Sequence, residues 1–306
     1  RHCRYFLRLL TPHARLYTEM VTAAAIVHGD RQRLLHYDAA EHPLTLQLGG
    51  SNARWMTEAA VAAAEYEYDE ININVGCPSD RVQSGQFGAC LMATPELVAN
   101  CFAAMREAAD LPITVKTRIG IDGHDSYDFL CKFVDRLVAA GCKTFVIHAR
   151  IAILQGLSPK ENRSVPPLNY DRVYRLKQDY PDLEIILNGG IDSLAKVDEA
   201  LGKVDGVMIG REAYHNPYFL AELEEHLRTG VSKPARRAVV ERMLPYIERE
   251  LERGERLSRI TRHMSGLFLG QPGARAWRRY LSENAYRDGA GIEVLEAALE
   301  QMPMAA

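Results

Sequence analysis

Seven short apolar runs rich in β-branched residues recur between residues 14 and 213, and longer stretches with helical periodicity separate them. No other feature constrains the fold as much. The runs are ARLYTEMV (14–21), LTLQLGG (44–50), EININVGC (70–77), ITVKTRIG (113–120), TFVIHAR (144–150), EIILNGGI (184–191) and GVMIGREA (206–213). Helical patterns fall at 53–66, 95–109, 126–140, 170–179 and 193–201. Thr94-Pro95 and Asp192-Ser193 mark helix starts, because a small polar side chain can accept from orphan amides and proline fits the first turn. Strands alternating with helices are the signature of a parallel α/β fold, and seven of them predict a TIM (β/α)8 barrel one strand short. The chain begins at Arg1 in an amphipathic pattern, RHCRYFLRLL, so the first strand is expected to lie upstream.

After residue 231 the strand signals stop and the period becomes helical, over 236–253, 257–269, 273–285 and 292–301. Met243, Leu244, Ile247 and Leu251 recur at three- and four-residue spacing, as one buried helix face requires. The Thr-Gly-Val-Ser-Lys-Pro linker predicts a boundary there. Residues 1–231 read as a catalytic barrel domain and 232–306 as a small helical-bundle domain. A chain of 306 residues with 47% hydrophobic content can bury one large core plus such an appendage.

Six cysteines, at 3, 77, 90, 101, 131 and 142, include no C-x-x-C pair and no His/Cys cluster at metal spacing. A reducing compartment and no structural metal are expected. No apolar run reaches the ~18 residues needed to span a bilayer and no signal-peptide pattern opens the chain, which predicts a cytoplasmic protein without membrane contact; a monomer is expected. The net charge is −3, but residues 232–290 hold 13 Lys+Arg against 7 Asp+Glu, a local +6 that leaves −9 elsewhere. A basic appendage on an acidic body suits a phosphate-binding face for nucleic acid; a solvated helical surface is the plainer alternative.

Barrel enzymes work at the C-terminal ends of their strands. That rule selects Glu19, Gln47, Asn74 with Cys77, Lys116 with Arg118, His148 with Arg150, Asn188 with Gly189 and Gly190, and Gly210 with Arg211. The last two strands end in Asn-Gly-Gly and Gly-Arg, at the barrel corner that frequently holds a phosphate. Glycines let backbone amides approach phosphate oxygens and arginine adds a planar charged fork. Either motif alone is also ordinary turn chemistry; together they favour a phosphorylated cofactor, with FMN the natural candidate. Lys116 can neutralise the electron-rich edge of a reduced flavin, His148 can donate to the same ring, and Gln47, expected on the opposite side of the barrel, can bond a ring carbonyl or nitrogen. His148 can equally be a satisfied core residue. Cys77, held by Gly76 and Pro78 with Gly85 and Gly88 as possible lid hinges, reads either as a proton-donating thiol or as a small buried hydrophobe, the role assigned to Cys90, Cys101, Cys131 and Cys142.

Across most of its length the chain resembles the A-type dihydrouridine synthases. The segments that carry the resemblance are LYTEMV, LQLGG, INVGCPSDRVQSGQFGACLM, VKTRIGID, HAR, GLSPKENR, PPLNYDRVY, LNGGI, DGVMIGREAYHNP and LFLGQPGARAWRRYLSENA. The resemblance implies an FMN-binding barrel, a helical C-terminal domain, and NADPH-driven reduction of uridines in the D loop of tRNA, at positions 20 and 20a. It implies Cys77 as proton donor and Gln47, Lys116, His148, Asn188, Gly189, Gly190, Gly210 and Arg211 as flavin contacts. Asn74, Lys160, Arg163, Arg275, Arg278 and Arg279 fall where tRNA is contacted. Hydride addition to C6 of uracil leaves enolate character at C5 and O4, so an acid must deliver a proton to C5, and a thiol with an ordinary pKa near 8.5 can do so at neutral pH. The chain departs from the family in HARIAILQG, where Ile151 and Ile153 replace an expected lysine and tryptophan. Another flavin barrel reductase of small pyrimidines or enones, and a non-catalytic tRNA-binding protein, are the alternatives.

Overall fold

The computed structural model describes residues 1–303; the last three residues of the 232–306 segment lie outside the described residues. Its strands are β1 (Leu16–Tyr17), β2 (Val21–Thr22), β3 (Leu44–Gly49), β4 (Glu70–Val75), β5 (Ile113–Arg118), β6 (Thr144–His148), β7 (Glu184–Asn188) and β8 (Gly206–Met208). All pair in parallel in the order β1-β3-β4-β5-β6-β7-β8, with β2 also on β3. Helices Ala53–Glu65, Pro95–Ala108, Tyr127–Ala139, Tyr170–Asp179 and Leu194–Leu201 connect β3 through β8. This is the α/β barrel architecture expected from the sequence, and among the described residues no ladder joins β8 to β1.

Each strand is two-faced. Leu44, Leu46 and Leu48 of β3, Ile71, Ile73 and Val75 of β4, Val115 of β5, and Phe145 and Ile147 of β6 are buried, on the side that the helices cover with residues such as Met56, Phe102, Phe133 and Leu137. The alternate positions are largely polar. Residues facing each other across a parallel ladder share one side of the sheet, and the register aligns Gln47 with Asn72 and Thr114, Asn74 with Lys116, and Arg118 with His148 and Asn188. Barrel interiors usually fill these positions with Val, Ile and Leu; here they carry hydrogen-bonding side chains.

Helix starts follow local chemistry. The side chains of Asn52, Ser126, Asn169 and Ser193 accept from the backbone amides of Trp55, Phe129, Arg172 and Lys196. Thr94, expected to cap, makes no such bond, and Pro95 at the first turn marks that start instead. The predicted strand 14–21 is two short pieces, because the Thr18 hydroxyl, not a ladder carbonyl, receives the Gln47 N–H at 3.0 Å. The last predicted strand stops at Met208, since Gly210 caps the helix Arg211–His215. The predicted helix 257–269 ends at Thr261; beyond it Gly266 lies against the His215 carbonyl, where a Cβ would come within 2.3 Å.

The chain forms two compact units. One, Arg15–Tyr37 with His42–Ile209, contains the whole sheet. The other combines residues 1–14, 38–41 and the chain from Gly210 onward, a division different from one at 231/232. Its N-terminal share has a clear cause: the amphipathic opening forms helix His2–Arg8, whose Tyr5 stacks on Tyr246 at 3.9 Å and whose His2 Nδ1 lies 2.7 Å from the Tyr246 hydroxyl.

Candidate active site

β4 ends at an Asx-type turn that builds the Cys77 loop. Asn74 Oδ1 accepts the backbone N–H groups of Gly76 (3.1 Å) and Cys77 (3.0 Å). Cys77 is half-buried, its Sγ 3.5 Å from Ser79 Oγ. Downstream, the Cys77 carbonyl accepts from the Ala89 amide at 2.9 Å. Gly88 has φ +77, and a Cβ there would come within 2.5 Å of the same carbonyl. Gln83 Nε2 donates to Pro78 O (2.9 Å) and Leu154 O (2.8 Å), tying this loop to the one after β6.

Gln47 is not opposite the other site residues. Its Oε1 accepts from Asn74 Nδ2 at 2.8 Å, and its Nε2 donates to Asn72 Oδ1 at 3.0 Å, because β3 is the direct neighbour of β4. Lys116 follows on β5, in register with Asn74. Its ammonium makes no hydrogen bond or ion pair among the described residues. Burial pushes its pKa down to about 8, the Arg118 charge adds to that, and Cys77 opposes it. A half-buried cation without an anion is costly, and it suits an electron-rich ring placed over it.

Arg118 is a clamp. Its Nε donates to Gly76 O (3.0 Å), and one terminal nitrogen donates to Ile151 O (3.1 Å) and Asn162 O (2.9 Å). Burial lowers its pKa to about 10. The fully buried Asn162 closes the same loop through both backbone groups of Ile153, each at 2.8 Å. Lys160 and Arg163 are exposed on this held segment. Ile151 and Ile153 are half-buried, and it is their backbone atoms that hold the loop.

At the ends of β6 and β7, the glycines of Asn-Gly-Gly have a steric reason. Gly189, at φ +113, would place a Cβ 2.6 Å from His148 Cδ2, and Gly190, at φ +71, one 2.6 Å from Leu168. Tyr170 donates to Gly189 O at 2.6 Å. Asn188 Nδ2 donates to Met208 O at 2.8 Å, joining β7 to β8. Arg150 donates to the carbonyls of Ser164 and Pro166. Gly210 and Arg211 follow β8 in the chain, are exposed, and open the next helix. The geometry thus brings together Gln47, Asn74, Cys77 and Lys116 on adjacent ladders, with His148, Asn188 and Gly189 on the next two. The backbone cradle and the unpartnered Lys116 fit a flavin.

In the helical unit, Arg275, Arg278 and Arg279 lie exposed on helix Ala274–Asn284 and make no ion pair among the described residues. Trp277 and Leu281 form its buried face; the Trp277 ring lies 4.9 Å from Phe268 and donates to Met264 O at 3.3 Å. Among the described residues no group of three His, Cys, Asp or Glu could hold a metal ion, and no helix is long and apolar enough to cross a membrane.

Asn72, Thr114 and Glu70, which support Gln47 and Asn74 from below, lie before the strand ends and so outside the strand-end rule. The alternation E-I-N-I-N-V in β4 is the signal that exposes them, since a barrel strand is buried on both faces and every second residue here is polar.

The dihydrouridine synthase family model matches residues 1–303. A protein of Shewanella oneidensis named tRNA-dihydrouridine(20/20a) synthase is 62% identical, covering 99% of this chain and 90% of that one. Proteins of the same name from Vibrio cholerae and Escherichia coli K12 are each 57% identical, over 99% and 98% of this chain and 93% and 87% of their own. The chain belongs to the dihydrouridine synthase family of flavin-dependent oxidoreductases.

Proposed function

We propose that this protein reduces the C5=C6 bond of uridine to dihydrouridine in the D loop of tRNA, at positions 20 and 20a, with FMN as bound cofactor and NADPH as electron donor. It acts in the cytoplasm as a monomer. The observation that carries the reading is that Asn74, whose side chain holds the Cys77 loop, is the register partner of the half-buried, unpartnered Lys116 on the β4–β5 ladder. The names of the relatives support the substrate and its positions.

FMN, when bound, supplies the hydride that adds to C6. Gln47, Lys116 and His148 would hold its ring. Gly189 and Gly190, with the Asn188 side chain at the strand end, would hold its phosphate side. Lys116 would stabilise negative charge on the ring through its ammonium. Cys77 Sγ gives its proton to C5, and the resulting thiolate, 3.5 Å from the Ser79 hydroxyl, is reprotonated before the next turnover. Asn74 positions the Cys77 backbone and meets the base. Unpaired D-loop uridines are cheaper to extrude than stacked ones. Lys160, Arg163, Arg275, Arg278 and Arg279 would contact tRNA phosphates.

Cys77→Ala tests the acid role. Dihydrouridine formation in tRNA lacking the modification should fall by about 10²-fold or more, while bound flavin absorbance and its reduction by NADPH persist. Undiminished dihydrouridine formation would remove Cys77 from the mechanism. Faster turnover of free uridine than of tRNA would favour a small-molecule reductase.

A further inference from the structure

Beneath Gln47 and Asn74 runs a hydrogen-bonded row that the reaction scheme does not use. Glu70, Asn72 and Asn74 alternate along β4 and so share one face of the sheet. Asn72 is fully buried, and Glu70 and Thr114 nearly so. Three hydroxyls converge on Glu70 Oε1: Thr114 at 2.9 Å, Thr45 at 3.2 Å and Tyr17 at 3.4 Å. The other carboxylate oxygen lies 3.7 Å from Arg15 Nε. Thr114 can also turn its proton to Ile71 O at 3.4 Å, and in either case it is the donor. Its lone pair therefore receives Asn72 Nδ2 at 2.9 Å. Asn72 Oδ1 then accepts from Gln47, Gln47 Oε1 accepts from Asn74, and Asn74 Oδ1 accepts the Gly76 and Cys77 amides.

The sense of this row is set from both ends. Carboxylates only accept and backbone amides only donate, so flipping any one of the three side-chain amides would set donor against donor and acceptor against acceptor. After these bonds, Gln47 and Asn74 each retain one unspent N–H.

We propose that Glu70, Thr114 and Asn72 are positioning residues for the reduction: they lock Gln47 and Asn74 into the sense that presents N–H donors to the flavin and the base, and through Asn74 they hold the Cys77 loop. This inference rests on the reading of Cys77 as proton donor.

Thr114→Val removes the hydroxyl at nearly constant volume, Thr114→Ser keeps it, and Thr45→Val removes an equally buried hydroxyl that also meets Glu70 but lies outside the row. The flavin-loaded protein is compared in three measurements: the rate of oxidation of reduced flavin by tRNA, the flavin absorption spectrum, and the rate of iodoacetamide alkylation of Cys77. In Thr114→Val the tRNA step should slow about tenfold with the KM for tRNA unchanged, the spectrum should shift, and alkylation should quicken about fivefold. Thr114→Ser and Thr45→Val should stay within about twofold of the parent. Equal effects in Thr114→Val and Thr45→Val, or none in Thr114→Val, would overturn the proposal.

If Thr114→Val does not fold, the unaltered protein decides. Both Asn72 amide protons and one Gln47 amide proton should exchange slowly with solvent in side-chain 15N spectra, whereas rapid exchange at these positions would refute the row. Cys77→Ala, run alongside, separates the two ideas: full activity there removes the acid role, while the spectral effect of Thr114→Val still reports on the row.

Discussion

At the scale of single residues, Lys116 shows how a site can work against stability. Its pKa in the folded protein is about 8, held down first by burial, whereas an unfolded lysine titrates near 10.4. Between those values the unfolded chain binds more protons, so stability should rise with pH across that window and be flat below it. Replacing the ammonium removes the cost of burying it. In the flavin-free protein, Lys116→Met should therefore raise stability by about 1–3 kcal/mol near pH 7, and the gain should vanish above about pH 10.5. Denaturant midpoints at the two pH values measure this. The same variant should bind FMN about tenfold more weakly, since the charge lost is the one that would face the ring. Lys116 stands out in the sequence because a lysine in the otherwise apolar ITVKTRIG would be a costly buried ammonium without a partner. Gln47 stands out in the sequence as a polar strand-end residue but not as a neighbour of Asn74, because adjacency of β3 and β4 is a property of the sheet.

At the scale of elements, the long periodic segments were readable to within a residue or two. The helix 170–179 is found at those bounds, and the strands 44–50, 70–77 and 113–120 each stop slightly early; after β4 the backbone turns so that the Gly76 and Cys77 amides bond the Asn74 side chain. Short elements were not readable. Helices Ala23–His28 and Arg31–Leu35 are too brief to show a period, and the Thr18 hydroxyl interrupts a strand through a tertiary contact. The Cys77 loop lies between these cases. Its glycines were visible, but only the structure gives Gly88 its reason: a left-handed backbone with Val82 and the Cys77 carbonyl where a Cβ would lie. Gly88→Ala should cost about 1–3 kcal/mol of stability in denaturant titrations. Dihydrouridine formation should fall further than the folded fraction does, because the strain is relieved by moving the Cys77 carbonyl.

At the scale of the whole molecule, the charge distribution governs association with a polyanion. The formal charge of −3 hides the +6 of residues 232–290, and the helix Ala274–Asn284 displays part of it in a usable form. Arg275, Arg278 and Arg279 fall three and four residues apart, so they share one side of that helix, and Trp277 and Leu281 anchor the other side in the unit's core. Many other arginines of this unit are already spent: Arg249 on Asp38, Arg253 on Glu250, Arg259 on Glu255. The three on this helix make no ion pair among the described residues, so binding a phosphate breaks nothing. Arg275→Ala and Arg278→Ala should each weaken tRNA binding and lower the slope of log affinity against log salt by about 1, with the folded unit and flavin absorbance unchanged. Binding isotherms at three salt concentrations measure both quantities. Unaltered slopes in both variants would assign the helix to a solvated surface and move the RNA contact to the segment bearing Lys160 and Arg163.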